Sequence, residues 1–182
     1  MSAPAPTRMD LLAELCAHAA WDAGEAEMLA RMCDFVAAQP DCFERSLQIG
    51  HMTASAWVVS PDRQQVLLVL HRKLGKWLQP GGHADGNTDL RAAALQEVWE
   101  ETGLHARLAQ AHIFDIDVHP IPARGHDPLH DHYDVRFLLE ADPSAPLVIS
   151  AESRELRWVP IDEVAGLNGE RSITRMIERC RA

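Results

Sequence analysis

Apolar positions recur with a helical period near the start of the chain. Leu11, Leu12, Leu15, Cys16 and Ala19 follow Thr7, which is placed to cap a helix. Gly24 interrupts the pattern, and Met28, Leu29, Met32, Phe35 and Val36 form a second stripe that Pro40 stops. A helical pair is therefore expected behind a loose lead-in, Ala3-Pro4-Ala5-Pro6. Its stripe serves internal packing or a homodimer contact, because periodicity does not say what covers a face.

The texture then changes to β. Ala54 to Val59 and Val66 to His71 read as strands joined through the turn Ser60-Pro61-Asp62-Arg63. Gln79 to Asn87 has the composition of a loop, and Asp89 to Thr102 reads as a helix that Gly103 closes. Ile113 to Val118 and Tyr133 to Leu139 are further strands, separated by a long polar loop from His119 to His132. A short strand, Leu156 to Val159, and a helix, Ser172 to Arg181, end the chain. Helices alternate with strands, but the first two strands are hairpin-joined. That predicts an α/β fold with a mixed sheet between helices rather than a regular parallel one.

Composition narrows this reading. A length of 182 residues, 47% of them apolar, suits one globular domain with a real core. The net charge of −10 argues against broad binding to nucleic-acid backbone or anionic lipid, though not against a small phosphorylated ligand held through a cation. The acidity is uneven. Residues 1–44 hold eight acids and two bases, and the other 138 hold 19 and 15, so −6 falls on the first segment and −4 on the rest. Cys16, Cys33, Cys42 and Cys180 show no C-x-x-C or zinc-finger spacing. Free thiols, no apolar run long enough for a bilayer and no signal-peptide pattern predict a cytoplasmic protein without membrane partners.

The chemistry concentrates in one helix. At about 100° per residue, Leu95, Val98, Trp99 and Thr102 share one face, while Glu97, Glu100 and Glu101 gather on the other. Three adjacent carboxylates repel one another unless a cation joins them, and hard ions such as Mg²⁺ or Mn²⁺ take carboxylate and carbonyl oxygens. Gly81-Gly82 would let a backbone carbonyl approach. A solvated acidic face is the alternative reading for these glutamates.

From Gly82 to Leu104 the residues resemble the Nudix hydrolase signature. Gly82 is followed after five residues by Thr88, and after seven more by Gln96-Glu97-Val98-Trp99-Glu100-Glu101-Thr102-Gly103-Leu104. Lys76-Trp77-Leu78-Gln79-Pro80-Gly81-Gly82 is similar to the family's entry into this motif. Arg157-Trp158-Val159-Pro160-Ile161-Asp162-Glu163-Val164 is similar to its run into the last helix. The resemblance covers roughly residues 50–180. It implies an α/β/α sandwich over residues 46–182, with residues 1–45 as an N-terminal helical extension. It also implies hydrolysis of a diphosphate bond in a nucleoside diphosphate derivative or related small phosphorylated metabolite. By motif position, Glu97 and Glu101 are the main metal ligands, Glu100 supports them and the Gly82 carbonyl joins them. Glu152, six residues before Trp158, matches the position of the general base in some members, and is otherwise an ordinary loop acid. Thr88 and Gln96 depart from the family's Glu and Arg. Thr88 can cap the helix and Gln96 can hydrogen-bond without charge, so a non-catalytic module that senses such a ligand is the main alternative. An isopentenyl-diphosphate isomerase shares the scaffold but needs a cysteine near the sheet.

Residues around the motif carry weaker signals. Arg72, Lys73 and Lys76 form the densest basic stretch, suited to drawing in an anionic substrate or to a solvated turn. Trp77 could stack on a base or sit in the core, and His83 could reach a diphosphate. Five of ten histidines fall between 112 and 132. His119, His126, His130 and His132 raise the question of a zinc site in a loop long enough to act as a lid. Histidines 18, 51 and 105 call for no functional account.

Overall fold

A computed structural model of the chain describes residues 4–125 and 127–182. His126, counted above among the loop histidines, and residues 1–3 of the lead-in lie outside the described residues. The elements run α1 (Arg8–Ala17), α2 (Ala23–Ala38), β1 (Gly50–Val59), β2 (Gln65–His71), β3 (Trp77–Leu78), β4 (Gly81–His83) and α3 (Leu90–Thr102). They continue as β5 (Arg107–Leu108), β6 (Asp115–Ile121), β7 (His130–Glu140), β8 (Ser153–Pro160), α4 (Val164–Leu167) and α5 (Arg171–Arg181).

The fold is α/β, a mixed, curled eight-stranded sheet between helices. β1 and β7 form its spine as a parallel pair in register from Gly50/Asp131 to Val59/Glu140. β2 and β4 both pair antiparallel with β1, and β6 and β5 with β7. β1 is buried along its whole length, as expected of a central strand covered on both faces. Its side chains alternate between two cores. Met52, Ala54, Ala56 and Val58 join Leu11, Leu15, Met32, Phe35 and Val98 on one face. Trp57 and Val59 join Ile173, Met176 and Ile177 of α5 on the other.

Thr7 caps α1 in a capping box with Asp10. Gly24 is not the break between the helices: it lies in the first turn of α2, which begins at the Asp22 cap. Asp22 accepts from the Glu25 amide at 2.8 Å, and that bond sets the boundary. The stripe of the helical pair packs on the chain's own sheet, with Phe35 stacked on Tyr133 at 3.9 Å. The face considered for a homodimer is therefore covered from within.

Three sequence expectations change. The polar stretch from His119 to His132 is strand at both ends, because β6 and β7 pair from Asp115/Arg136 out to Ile121/His130. The loop is therefore shorter than the 14 residues expected. The expected loop at Gln79 to Asn87 contains β4, which pairs with β1. Trp99, assigned to the apolar face of the helix, is 48% exposed, whereas Val98 and Thr102 are buried. β3, β5 and α4 are too short to show a period.

A buried ionic network joins β6, β7, α5 and α2. Arg136 meets Asp134 at 2.8 Å and Asp115 and Asp117 at 3.2 Å each. Arg175 bonds Asp115 at 2.7 Å, and Arg179 pairs with Glu25. Thr53 and Ser55 of β1 donate to Asp134 at 2.9 and 2.8 Å. The acidic first segment therefore pairs with bases on the last helix and on α3: Asp22 meets Arg171 at 2.7 Å, and Glu14 pairs with Arg91.

Candidate active site

β4 and α3 bring the motif acids together. Gly81 and Gly82 lie opposite Ser55 and Ala54 of β1, and α3 packs against both strands. The Gly81 amide donates to Glu101 Oε2 at 3.0 Å. A Cβ on Gly82 would stand 2.5 Å from the Glu97 carboxyl carbon, so a side chain here would push the Glu97 carboxylate from its place against the strand. At the far end Gly103 takes φ 74°, and its amide closes the helix on the Trp99 carbonyl at 2.8 Å.

Glu101 is buried, Glu97 half-buried and Glu100 exposed. Burial pushes Glu97 up to about 7, and the charges of Glu100, Glu152 and Asp85 add to the rise. Arg45 acts the other way with the smallest influence. That guanidinium lies 3.6 Å from Asp85 and reaches His83 Nδ1 at 2.8 Å. Burial also pushes Glu101 up to about 7 against the opposing Gly81 hydrogen bond, with Glu97 and Glu152 adding to the rise. The site is thus a set of like-charged carboxylates packed together beside bare glycine backbone. Oxygen donors crowded in this way fit a hard divalent cation such as Mg²⁺ or Mn²⁺.

The loop before β8 places Glu152 where its charge acts on both Glu97 and Glu101. Arg72 holds that loop. Its amide donates to the Glu152 carbonyl at 2.9 Å, and its guanidinium to the carbonyls of Ala151 and Ser153 at 2.8 and 2.9 Å. Its cation is therefore engaged with backbone rather than free. Lys76 pairs with Glu170 on the surface, and Lys73 is exposed. Trp77 is half-buried against the α5-side core with the Arg157 guanidinium 4.8 Å over its ring.

The two departures from the motif behave differently. Thr88 does not cap α3. Asp89 does, accepting from the amides of Arg91 and Ala92 at 3.2 and 3.1 Å, and its carboxylate complements the positive end of the helix. Gln96 Nε2 donates to Glu100 Oε1 at 2.6 Å, so this position supplies a hydrogen bond to the acid cluster but no charge. Asp85, with φ 47° at the end of the glycine loop, joins the acids around Glu97 without having been marked by the motif.

The structure also assembles histidines differently from the sequence reading. His83 of β4 meets His51 of β1 and His132 of β7, with ring centroids 4.8 to 5.0 Å apart. His130 and His119 flank this trio, 5.3 and 5.6 Å from His132. His51 thus stands at the centre of a cluster rather than alone. Positions 51, 83 and 132 follow no ligand spacing, so only the strand pairing reveals them.

A family model described as the NUDIX domain matches residues 50–180, and the chain belongs to this family. It is similar to a CMP-5'-(N-acetyl-N-hydroxy-3-aminopropyl)phosphonate hydrolase of Streptomyces rubellomurinus, 30% identical over 118 residues, which are 63% of this chain and 54% of that protein. The chain spans about half the length of the curated relatives it matches. Among solved structures, a C. elegans Ap4A hydrolase aligns with a TM-score of 0.57 at 15% identity, covering 70% of this chain and 93% of that one. The E. coli dihydroneopterin triphosphate pyrophosphohydrolase aligns with a TM-score of 0.57 at 18% identity, covering 70% and 92%. These two likenesses show the fold.

Proposed function

We propose that the protein is a Mg²⁺- or Mn²⁺-dependent hydrolase that cleaves a diphosphate bond in a nucleoside diphosphate derivative or related small phosphorylated metabolite. The observation that carries this reading is the packing of Glu97 and Glu101 against each other and against Gly81-Gly82. A relative named as a phosphonate hydrolase agrees with it. Glu97 and Glu101 would hold the cation, with Glu100 in support and the Gly82 carbonyl adding an oxygen. The bound cation would neutralise charge on the leaving phosphate and lower the pKa of the attacking water.

Glu152 accepts the proton of that water, and Arg72 fixes the loop that presents it. Lys73 and Lys76 attract the anionic substrate, Lys76 by exchanging Glu170 for phosphate, since an exposed pair of this kind is weak. Trp77 and His83 line the approach. Residues 1–45 act as a helical extension of the catalytic unit at 46–182. Among the described residues no helix is long and apolar enough to cross a membrane. Four free cysteines fit a reducing cytoplasm, and the acidic balance disfavours nucleic-acid backbone as a partner.

Purified chain assayed with Mn²⁺ on a panel of nucleoside diphosphate derivatives should release phosphate or nucleoside monophosphate, and Glu152→Gln should lower kcat by about 100-fold with little change in KM. Gln96, which bonds Glu100 without charge, favours the sensor as the second reading. Ligands that raise the Tm without any turnover would establish it. The isomerase reading loses support from Cys42, buried in the core, where burial pushes its thiol up to about 11.

A further inference from the structure

A second group of potential metal ligands is chemically unlike the glutamates. β4, β1 and β7 are neighbouring strands, and each presents one histidine to the same place. Their potential ligand atoms, one nitrogen from each of His51, His83 and His132, all lie within 4.8 Å of one another. Along β1 and β7, His51 and His132 are direct partners. They point to the face that carries Ser55, Asp134 and Arg136 further along, so the cluster continues a polar row rather than interrupting a core.

His51 is 4% exposed, and although the Leu47 backbone acts on its ring, neither ring nitrogen meets a partner in good hydrogen-bond geometry among the described residues. An imidazole sealed in this way leaves two polar atoms without compensation, which native interiors rarely tolerate. The flanking rings are oriented as well. His130 Nδ1 donates to the Pro128 carbonyl at 2.8 Å, and His119 Nδ1 lies 2.9 Å from Asp117 Oδ2. Imidazole nitrogens suit borderline transition metals, whereas Mg²⁺ prefers oxygen.

We propose that His51, His83 and His132 form a three-imidazole site for a borderline transition-metal ion, Zn²⁺ foremost, separate from the hard-cation site on α3. Zinc–nitrogen bonds of about 2.0–2.1 Å put tetrahedral ligands about 3.4 Å apart, so the rings close inward on binding. Arg45, at 2.8 Å from His83 Nδ1, yields if that nitrogen binds the ion. Its side chain is 60% exposed and already stands 3.6 Å from Asp85. Three protein ligands leave a fourth position for water or a phosphate oxygen. The ion would tie β4, the strand that carries Gly81 and Gly82, to the β1–β7 spine. This inference does not depend on the hydrolase reading.

The test uses the full chain without a histidine tag, stripped with chelator and titrated with Zn²⁺ in excess Mg²⁺. Bound metal is counted after gel filtration, and affinity is measured by calorimetry. One equivalent of Zn²⁺ is expected, with a rise in Tm. His132→Gln and His51→Gln should weaken binding by about 100-fold or more and abolish the Tm rise, while Glu97→Gln changes affinity by less than about threefold. Substituted Co²⁺ should give visible d–d bands that the histidine variants lose. His83→Gln, at a half-buried position, provides the same comparison if circular dichroism shows that His51→Gln does not fold. Substoichiometric zinc, unchanged affinity in the histidine variants, or loss of binding in Glu97→Gln would each overturn the proposal.

Discussion

Two groups of carboxylates, one under α5 and one on α3, meet burial in opposite ways. Under α5, burial pushes Glu25 and Asp117 up, but their partners outweigh it. Hydrogen bonds from His18, the Trp21 amide and Arg179 hold Glu25 down at about 2, and the Arg136 charge with His119 holds Asp117 at about 2. On α3, Glu97 and Glu101 are surrounded mainly by further acids and rise to about 7. Asp115, fully buried in the same network, rises even so, because burial outweighs its bonds to Arg175 and Arg136. Among the other four, burial is common and does not set the difference. The presence or absence of a built-in cation does. The first group is a finished structural element, and the second is complete only when something positive arrives.

That contrast can be broken at several points. The largest effect is expected from Arg136→Met, which takes the cation from buried Asp134 and leaves Asp115 to Arg175 and Arg179 and Asp117 to His119 and Arg175. Urea unfolding should show a loss of about 3–5 kcal/mol, and a loss below about 1 kcal/mol would mean the network is not truly buried. Glu101→Gln should do the reverse. Turnover with Mn²⁺ should fall about 100- to 1,000-fold, while Tm without metal holds or rises, because one of several repelling charges is gone and Gln still accepts from Gly81. A fall in metal-free Tm would contradict the description of this group as uncompensated.

Acid should discriminate between the groups next. Glu25 has a folded-state pKa below its ordinary value of 4.5, so it stabilises the fold above pH 4.5, and that contribution disappears as pH falls toward about 2. The stability gap between wild type and Glu25→Gln, about 3 kcal/mol near neutrality, should therefore narrow across that window. A gap independent of pH would rule out the ion pairs as its source. The smallest effect is expected from Gln96→Arg, which places a cation where Gln96 now bonds Glu100. It should tighten Mn²⁺ binding or raise kcat by a few-fold, read by titration and steady-state kinetics.

The α3 group was legible in the sequence because its order is local: Glu97, Glu100 and Glu101 share one helix, and Gly82 and Gly103 bracket it at fixed gaps. The hairpin of the first strands and the Thr7 cap were legible for the same reason. The α5 group was not. Glu25, Asp115, Arg136 and Arg175 look like surface charges one by one, and only the packing of α2 and α5 on the sheet pairs them. The length of β6 and β7 was hidden because Asp, His and Pro occupy positions where a strand usually alternates apolar residues, and their pairing is held by backbone and charge. Asp89 and Thr88 are both competent caps, and side-chain chemistry alone does not choose between neighbours.

The burial of Leu15, Met32 and Phe35 against Met52 and Ala54 bears on how this protein could be shortened. The family match begins at residue 50, which invites cutting the gene there to obtain a minimal enzyme. Such a truncation would leave one face of the sheet wet, Arg179 without Glu25, and Arg91 at the start of α3 without Glu14. The expected product of that cloning boundary is an aggregating fragment. The smallest expressible unit begins at about Thr7, where the first capped helix starts.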